Sequence, residues 1–305
     1  MKEDITGIQA QLNKRSSSKI KIDQLDIIDS KALSNVLLLS QSDLGVVRNG
    51  GRRGSAYGPK AILNTLLKMT AHKQRASAYK SIREQNSSKS FNDQQAEDVA
   101  TISKVAKETE ANLWHLGGGH DHIYPFLKAI DSTSKNILVI NLDAHLDTRV
   151  DPLFHSGTPF RQFANEAKGH FKIIQLGIHD FANEESNYKE LKNSEMEVYT
   201  VSQLRRETSN YTTTAQFLDT LTKNYSEYTI VLSLDCDAIS SESMEAVSAV
   251  NHNGLQISFV RDIFSWYYSL PQARKFCGIY EYNPIFDNLS SKGSRTIASL
   301  IGPFL

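Results

Sequence analysis

The chain has little cysteine, no long apolar run and no net charge, and each shortage removes a class of protein. Cys236 and Cys277 are the only cysteines among 305 residues, too few for a disulfide framework or a thiolate zinc site. Any metal must therefore be held by oxygen and imidazole. No stretch approaches the roughly 20 consecutive apolar residues of a membrane span, and the polar start Met1-Lys2-Glu3-Asp4-Ile5-Thr6 lacks the apolar core of a secretion signal. The expectation is a soluble, cytoplasmic protein. Lys plus Arg and Asp plus Glu each number 34, so the formal net charge is zero. No overall field recruits nucleic acid or an anionic membrane. The expected partner is a small-molecule substrate, and a homo-oligomer is compatible with the sequence.

What is present is an alternation of strand and helix patterns. Apolar runs at 36–40, 113–116, 136–142, 171–177, 197–200, 228–237 and 275–281 read as strands. Helical spacing recurs from Pro59 to Leu67, from about Asp93 to Ala111, from Ile123 to Ile130, up to about Ala167, and from Ser258 to Tyr268. Strands separated by helices imply a parallel sheet covered on both faces. No repeat or long linker divides the chain, so 1–305 reads as one domain, with 1–34 as an N-terminal extension and Lys14-Arg15-Ser16-Ser17-Ser18-Lys19 as a mobile piece of it. Residues 72–95, polar and without periodicity, read as an insertion or loop.

Three strand ends carry groups capable of chemistry. Gly117-Gly118-Gly119-His120-Asp121 follows the strand at 113–116, and Asp121 stands where it can cap the next helix. Asp143-Ala144-His145-Leu146-Asp147 follows the central strand, and alternation puts its three polar groups on one side. Ser233-Leu234-Asp235-Cys236-Asp237 repeats that design, with Cys236 pointing the other way into the core. Each motif alone reads as readily as a cap or turn. Together they converge, because parallel strands place their C-terminal ends on one edge. His120, Asp143, His145, Asp147, Asp235 and Asp237 are then six ligands, four of them carboxylates. That is more than one zinc site uses, and it suits two hard divalent cations, with Mn²⁺ favoured by the mixed oxygen and imidazole set. Two such ions about 3.5–4 Å apart lower the pKa of a water held between them, which is hydrolase chemistry. Glu281, before Tyr282-Asn283-Pro284, could hold a cationic ligand group or be an ordinary turn residue.

The order and spacing of Gly-Gly-Gly-His120-Asp, Asp143-Ala-His145-Leu-Asp147, Ser233-Leu-Asp235-Cys-Asp237 and Glu281-Tyr-Asn-Pro resemble the ureohydrolase family over roughly residues 36–301. The resemblance implies a three-layer α/β/α fold and a binuclear manganese centre held by those six ligands. It also implies that Asp147 passes a proton to the leaving amine and that Glu281 pairs with the amidine-like cation. Within the family the chain is most similar to the formimidoylglutamase type. Ser156-Gly157-Thr158-Pro159-Phe160 stands where arginases carry His-Gly, with His155 off by one, and Arg48-Asn49-Gly50-Gly51-Arg52 and the stretch from Val247 to Leu255 fit the same branch. The implied reaction is hydrolysis of N-formimino-L-glutamate to L-glutamate and formamide, in histidine breakdown. The rivals are another amidino hydrolase and an inactive metal-binding relative. A dicarboxylate substrate needs cations: Arg149 is the leading candidate, Arg48 and Arg161 are secondary, and Ser156 is a further contact. The chain departs from the family at Ala238–Glu245, where Asp-Pro usually follows the second acid pair, and this leaves the shape of that loop open.

Overall fold

Nine strands and nine helices are found among the described residues, which in this computed structural model are 18–25, 32–71, 73–84, 89–134 and 136–305. In chain order they are β1 (Asp23–Gln24), β2 (Asn35–Ser40), α1 (Leu44–Arg48), α2 (Gly58–Leu66), β3 (Ser77–Arg83), α3 (Phe91–Glu108), β4 (Asn112–Gly117), α4 (Ile123–Asp131) and β5 (Asn136–Leu142). There follow α5 (Pro159–Glu166), β6 (His170–Ile178), β7 (Ser194–Thr200), α6 (Val201–Thr208), α7 (Thr214–Thr222), β8 (Thr229–Asp235), α8 (Ile257–Ser269), β9 (Phe276–Tyr280) and α9 (Lys292–Ile301). The strands form one sheet in the order β1-β3-β2-β4-β9-β8-β5-β6-β7, and every pairing is parallel.

Both faces of this sheet are covered, so its central strands are apolar throughout rather than alternating. Along β5, Leu138, Ile140 and Leu142 face one core, into which α2, α6, α7, α8 and α9 send Ile62, Leu204, Phe217, Phe264 and Ile297. Ile137 and Val139 face the other, filled by Ile102 of α3, Phe126 of α4 and Phe163 of α5. The result is the three-layer α/β/α arrangement that the alternation of elements implies.

Two sequence expectations change. The 72–95 segment is not simply a loop, because β3 lies within it and pairs with β2 from Asn35↔Ser77 onward. Its sequence Ser-Ala-Tyr-Lys-Ser-Ile-Arg carries no apolar strand signal because β3 is bordered on one side only by the two-residue β1 and stays half exposed in its middle. The described part of the N-terminal extension is also built into the fold. Ile20 and Ile22 are buried in the core, and β1 closes the sheet edge, while residues 14–17 of the expected mobile piece lie outside the described residues.

His115, in the middle of β4, is fully buried between the Ser40 hydroxyl, 3.0 Å from Nε2, and the Tyr280 hydroxyl, 3.2 Å from Nδ1. A neutral ring donates through one nitrogen and accepts through the other, and a hydroxyl can serve either role, so the pair satisfies the uncharged form. Burial, and then the neighbouring His122, hold its pKa down at about 3. The unfolded chain would protonate this ring near pH 6.5 while the folded chain would not, so its contribution to stability is complete above pH 6.5 and is lost as the pH falls toward 3. Denaturant titrations of wild type and His115→Gln should therefore differ by about 1.4 kcal/mol less for each unit of acidification between roughly pH 6 and pH 4. A pH-independent difference would show that the ring is not held neutral.

Candidate metal centre

Four adjacent strands, β4, β9, β8 and β5, end side by side at the C-terminal edge; β4, β8 and β5 lead to the six candidate ligands and β9 to Glu281. β4 runs out at Gly117, and the turn through Gly118 and Gly119 swings His120 over the edge. This turn needs glycine: a Cβ on Gly118 would sit 2.0 Å from the backbone oxygen of Ser42. The Gly118 and Gly119 amides donate to the Ser40 and Ser42 carbonyls, which fixes the turn. Asp121 does not cap α4 as expected. His122 is the N-cap residue and makes no side-chain cap bond, while Asp121 is buried with Oδ1 unpartnered.

The acid motifs share a local geometry that strand alternation does not describe. β5 ends at Leu142, and Asp143 Oδ1 accepts the His145 amide at 2.7 Å. β8 ends at Asp235, whose Oδ1 accepts the Asp237 amide at 2.9 Å. In each case the first acid folds the chain into a turn around its own carboxylate. Asp147 then takes a left-handed backbone with φ 52°, and Glu281, directly after β9, does the same with φ 64°. A non-glycine residue pays roughly 1–3 kcal/mol for such a conformation, and strain of this kind gathers at functional sites.

All six expected ligands come together. One group holds His120, Asp143, Asp147 and Asp235, the other Asp143, His145 and Asp237, so Asp143 belongs to both. Around His120 Nδ1, carboxylate oxygens of Asp147, Asp143 and Asp235 stand at 2.8, 3.0 and 3.2 Å. His145 Nδ1 lies 3.1 Å from Asp237 and 3.7 Å from Asp143. These separations fit donors arranged around a common ion: ligands about 2.1 Å from a cation at right angles are about 3 Å apart. Direction also fits, since none of the three oxygens is aligned to accept a hydrogen bond from Nδ1, which is otherwise orphaned in the interior. On the far side of the ring, Nε2 lies 3.0 Å from the Ser233 hydroxyl, as a second partner orienting a metal-bound histidine would.

Electrostatics point the same way. Burial pushes the Asp235 carboxyl well up, reinforced by Asp237 and Asp143, and burial together with Asp143 raises Asp147. His145 is pushed up to about 12, chiefly by Asp237, and His120 is raised despite its burial by Asp143, Asp147 and Asp235. Asp143, facing both histidines, is lowered against the effect of burial. Protein alone can balance these charges only by retaining protons that a divalent cation would replace.

Some supporting residues were not singled out from the sequence. Asn141 donates to Asp143 Oδ2 at 3.2 Å and to Gln175, which in turn donates to the Leu146 carbonyl. Asn141 and Ser233 each lie on a strand two positions before an acid, a spacing that could have exposed them. The His120 ring stacks on Tyr280 at 5.0 Å. Of the six candidate ligands only His145 is open to solvent, at 28% side-chain exposure, and it lines a cavity of about 230 Å³ with His179, Phe181, Val250 and Asn251.

The expected substrate contacts are not all alike. Glu281 reaches the cluster and accepts the His120 amide at 3.0 Å; burial, and then Asp237, Asp121 and Asp147, push its carboxyl up to about 8. Arg149 donates through Nη1 to Asn49 Oδ1 at 2.8 Å, and Asn49 Nδ2 donates to Ser156 Oγ at 3.1 Å. Arg161 is turned elsewhere: its Nε, Nη1 and Nη2 donate to the carbonyls of Thr148, Glu190 and Lys189, which makes it a clamp between loops. Arg48 is exposed, donates through Nε to the Phe154 carbonyl and lies over the Phe91 ring.

The fold and the site define an α/β protein whose sheet edge carries a candidate two-cation centre built from carboxylate and imidazole. A sequence profile of the arginase family matches residues 40–305, and the chain belongs to that family. It is 29% identical over 284 residues to a formimidoylglutamase of Klebsiella pneumoniae, covering 85% of this chain and 80% of that protein. It is 30% identical over 280 residues to a formimidoylglutamase of Rhodococcus jostii, covering 87% and 83%. Its fold is similar to that of the Trypanosoma cruzi formiminoglutamase crystallised with Mn²⁺, with a TM-score of 0.75 and 20% identity over 92% of this chain and 94% of that one.

If Asp143 joins the two groups, calorimetric titration with a divalent transition-metal ion should count two ions per chain, and Asp143→Asn should lose both. Wild type should gain roughly 2.7 kcal/mol of stability for each ion bound at a hundredfold excess over Kd, a gain that Asp143→Asn should lack. Retention of one tight ion by the variant would separate the groups.

Proposed function

We propose that the chain is a Mn²⁺-dependent hydrolase that converts N-formimino-L-glutamate and water into L-glutamate and formamide, in the cytoplasm and as a step of histidine breakdown. The observation that carries the reading is the pair of ligand groups joined at Asp143. The relatives named formimidoylglutamase and the Mn²⁺ of the Trypanosoma cruzi neighbour support the choice of reaction and of metal. Two divalent cations, when bound, supply Lewis acidity and bring the pKa of water toward neutrality.

The remaining work falls to side chains. A new C–O bond forms at the formimino carbon and the bond to the glutamate nitrogen breaks. Asp147, one of the acids that would hold the cations, takes the proton that the water gives up and returns it to the departing nitrogen. Glu281 faces the amidine. A cationic partner would favour its ionised form, so substrate binding and ionisation of Glu281 reinforce each other. Arg149 grips a substrate carboxylate, with Ser156 beside it. Arg161, its donors engaged by carbonyls, is left out of the pocket.

Purified protein loaded with Mn²⁺ should release formamide from formiminoglutamate and no urea from arginine, agmatine or guanidino acids. Urea release would reject the proposed substrate. Arg149→Ala should raise KM for the dicarboxylate by about 2 kcal/mol, the scale of a lost charge-assisted hydrogen bond. An unchanged KM would remove Arg149 from the pocket.

A further inference from the structure

We infer that Asn49 is a positioning residue that sets the preference of the site for an acidic substrate tail, by holding the Arg149 guanidinium in place without neutralising it. The inference rests on the proposed role of Arg149 as carboxylate clamp.

Asn49 is itself firmly placed. It closes α1, where its amide donates to the Gly45 and Val46 carbonyls, and the chain then reverses through Gly50, whose φ is 78°. Its side chain spans two elements that are distant in sequence. Because a guanidinium only donates, the Asn49 oxygen must face Arg149, which sends the Asn49 amino group to Ser156. The orientation of the amide is thus determined by its partners.

The opposite side of Arg149 is fixed by the 155–158 turn. The Arg149 amide donates to the Gly157 carbonyl at 3.0 Å, and the side chain lies against Gly157, where a Cβ would come within 3.2 Å of Arg149 Cδ. That turn is tied back to α1, since the Ser156 amide donates to the Gly45 carbonyl at 3.2 Å. Among the described residues no carboxylate pairs with Arg149. The guanidinium is therefore held by a neutral amide and keeps its full charge and most of its five donors. An acid at position 49 would hold it equally well, but as an internal ion pair that competes with a ligand carboxylate.

The test uses the full-length, metal-loaded enzyme and L-glutamate, the proposed product, as a calorimetric probe. Asn49→Asp, which preserves shape, should weaken glutamate binding by about tenfold or more, as should Arg149→Ala. In turnover Asn49→Asp should raise KM by a similar factor and leave kcat nearly unchanged. Asn49→Ala, which frees the guanidinium without adding charge, should also weaken glutamate binding, and Asn49→Ala/Arg149→Ala should bind no more weakly than Arg149→Ala alone, because the first substitution acts through the arginine. Metal stoichiometry should stay at the wild-type value in every variant. Glutamate binding by Asn49→Asp as tight as by wild type, or losses that simply add in the double variant, would overturn the inference. If Arg149→Ala weakens binding and Asn49→Asp does not, only the role of Asn49 fails. If Arg149→Ala has no effect, the clamp reading fails and the inference with it.

Discussion

Four aspartates crowded into one water-poor pocket repel one another, and the rest of the structure is arranged around that repulsion. Two unit charges 4 Å apart interact by about 4 kcal/mol even at an effective dielectric constant of 20. Asp143, Asp147, Asp235 and Asp237 are all buried, and two histidines cannot balance them without taking up protons. Divalent cations would resolve the conflict, and Asp143, common to both candidate ligand groups, is where the two charges would be shared.

The scaffold serves this convergence. An all-parallel sheet brings four strand ends to one edge, so ligands from positions 120, 143–147 and 235–237 meet without long loops. Where the geometry must be forced, the chain bears the cost locally, through the glycine turn before His120 and the left-handed backbones of Asp147 and Glu281. Neutral polar groups aim the charged ones: Ser233 and Asn141 contact the ligands, and Asn49 contacts the arginine. Each touches a charge without cancelling it.

Much of this was legible in the sequence because apolar strands and the polar groups at their ends follow simple rules. β5 and β8 announce themselves by uninterrupted apolar residues, and their trailing acids by position. β3 did not, since a polar strand near the sheet edge carries no apolar signal. Convergence at 143–147 likewise needs more than strand alternation: the period of two applies only as far as Leu142, after which the Asp143 turn and the Asp147 backbone do the aiming. Arg161 shows the opposite failure. An arginine near a motif looks like a ligand contact until the carbonyls that occupy it, from residues 148, 189 and 190, are brought close by folding.

Anomalous diffraction at the manganese edge, on crystals of the metal-loaded protein, tests the central claim most directly. Two peaks about 3.5–4 Å apart are expected, one among His120, Asp147 and Asp235, the other beside His145 and Asp237, with Asp143 touching both. A single peak, or a pair that Asp143 does not bridge, would contradict the account.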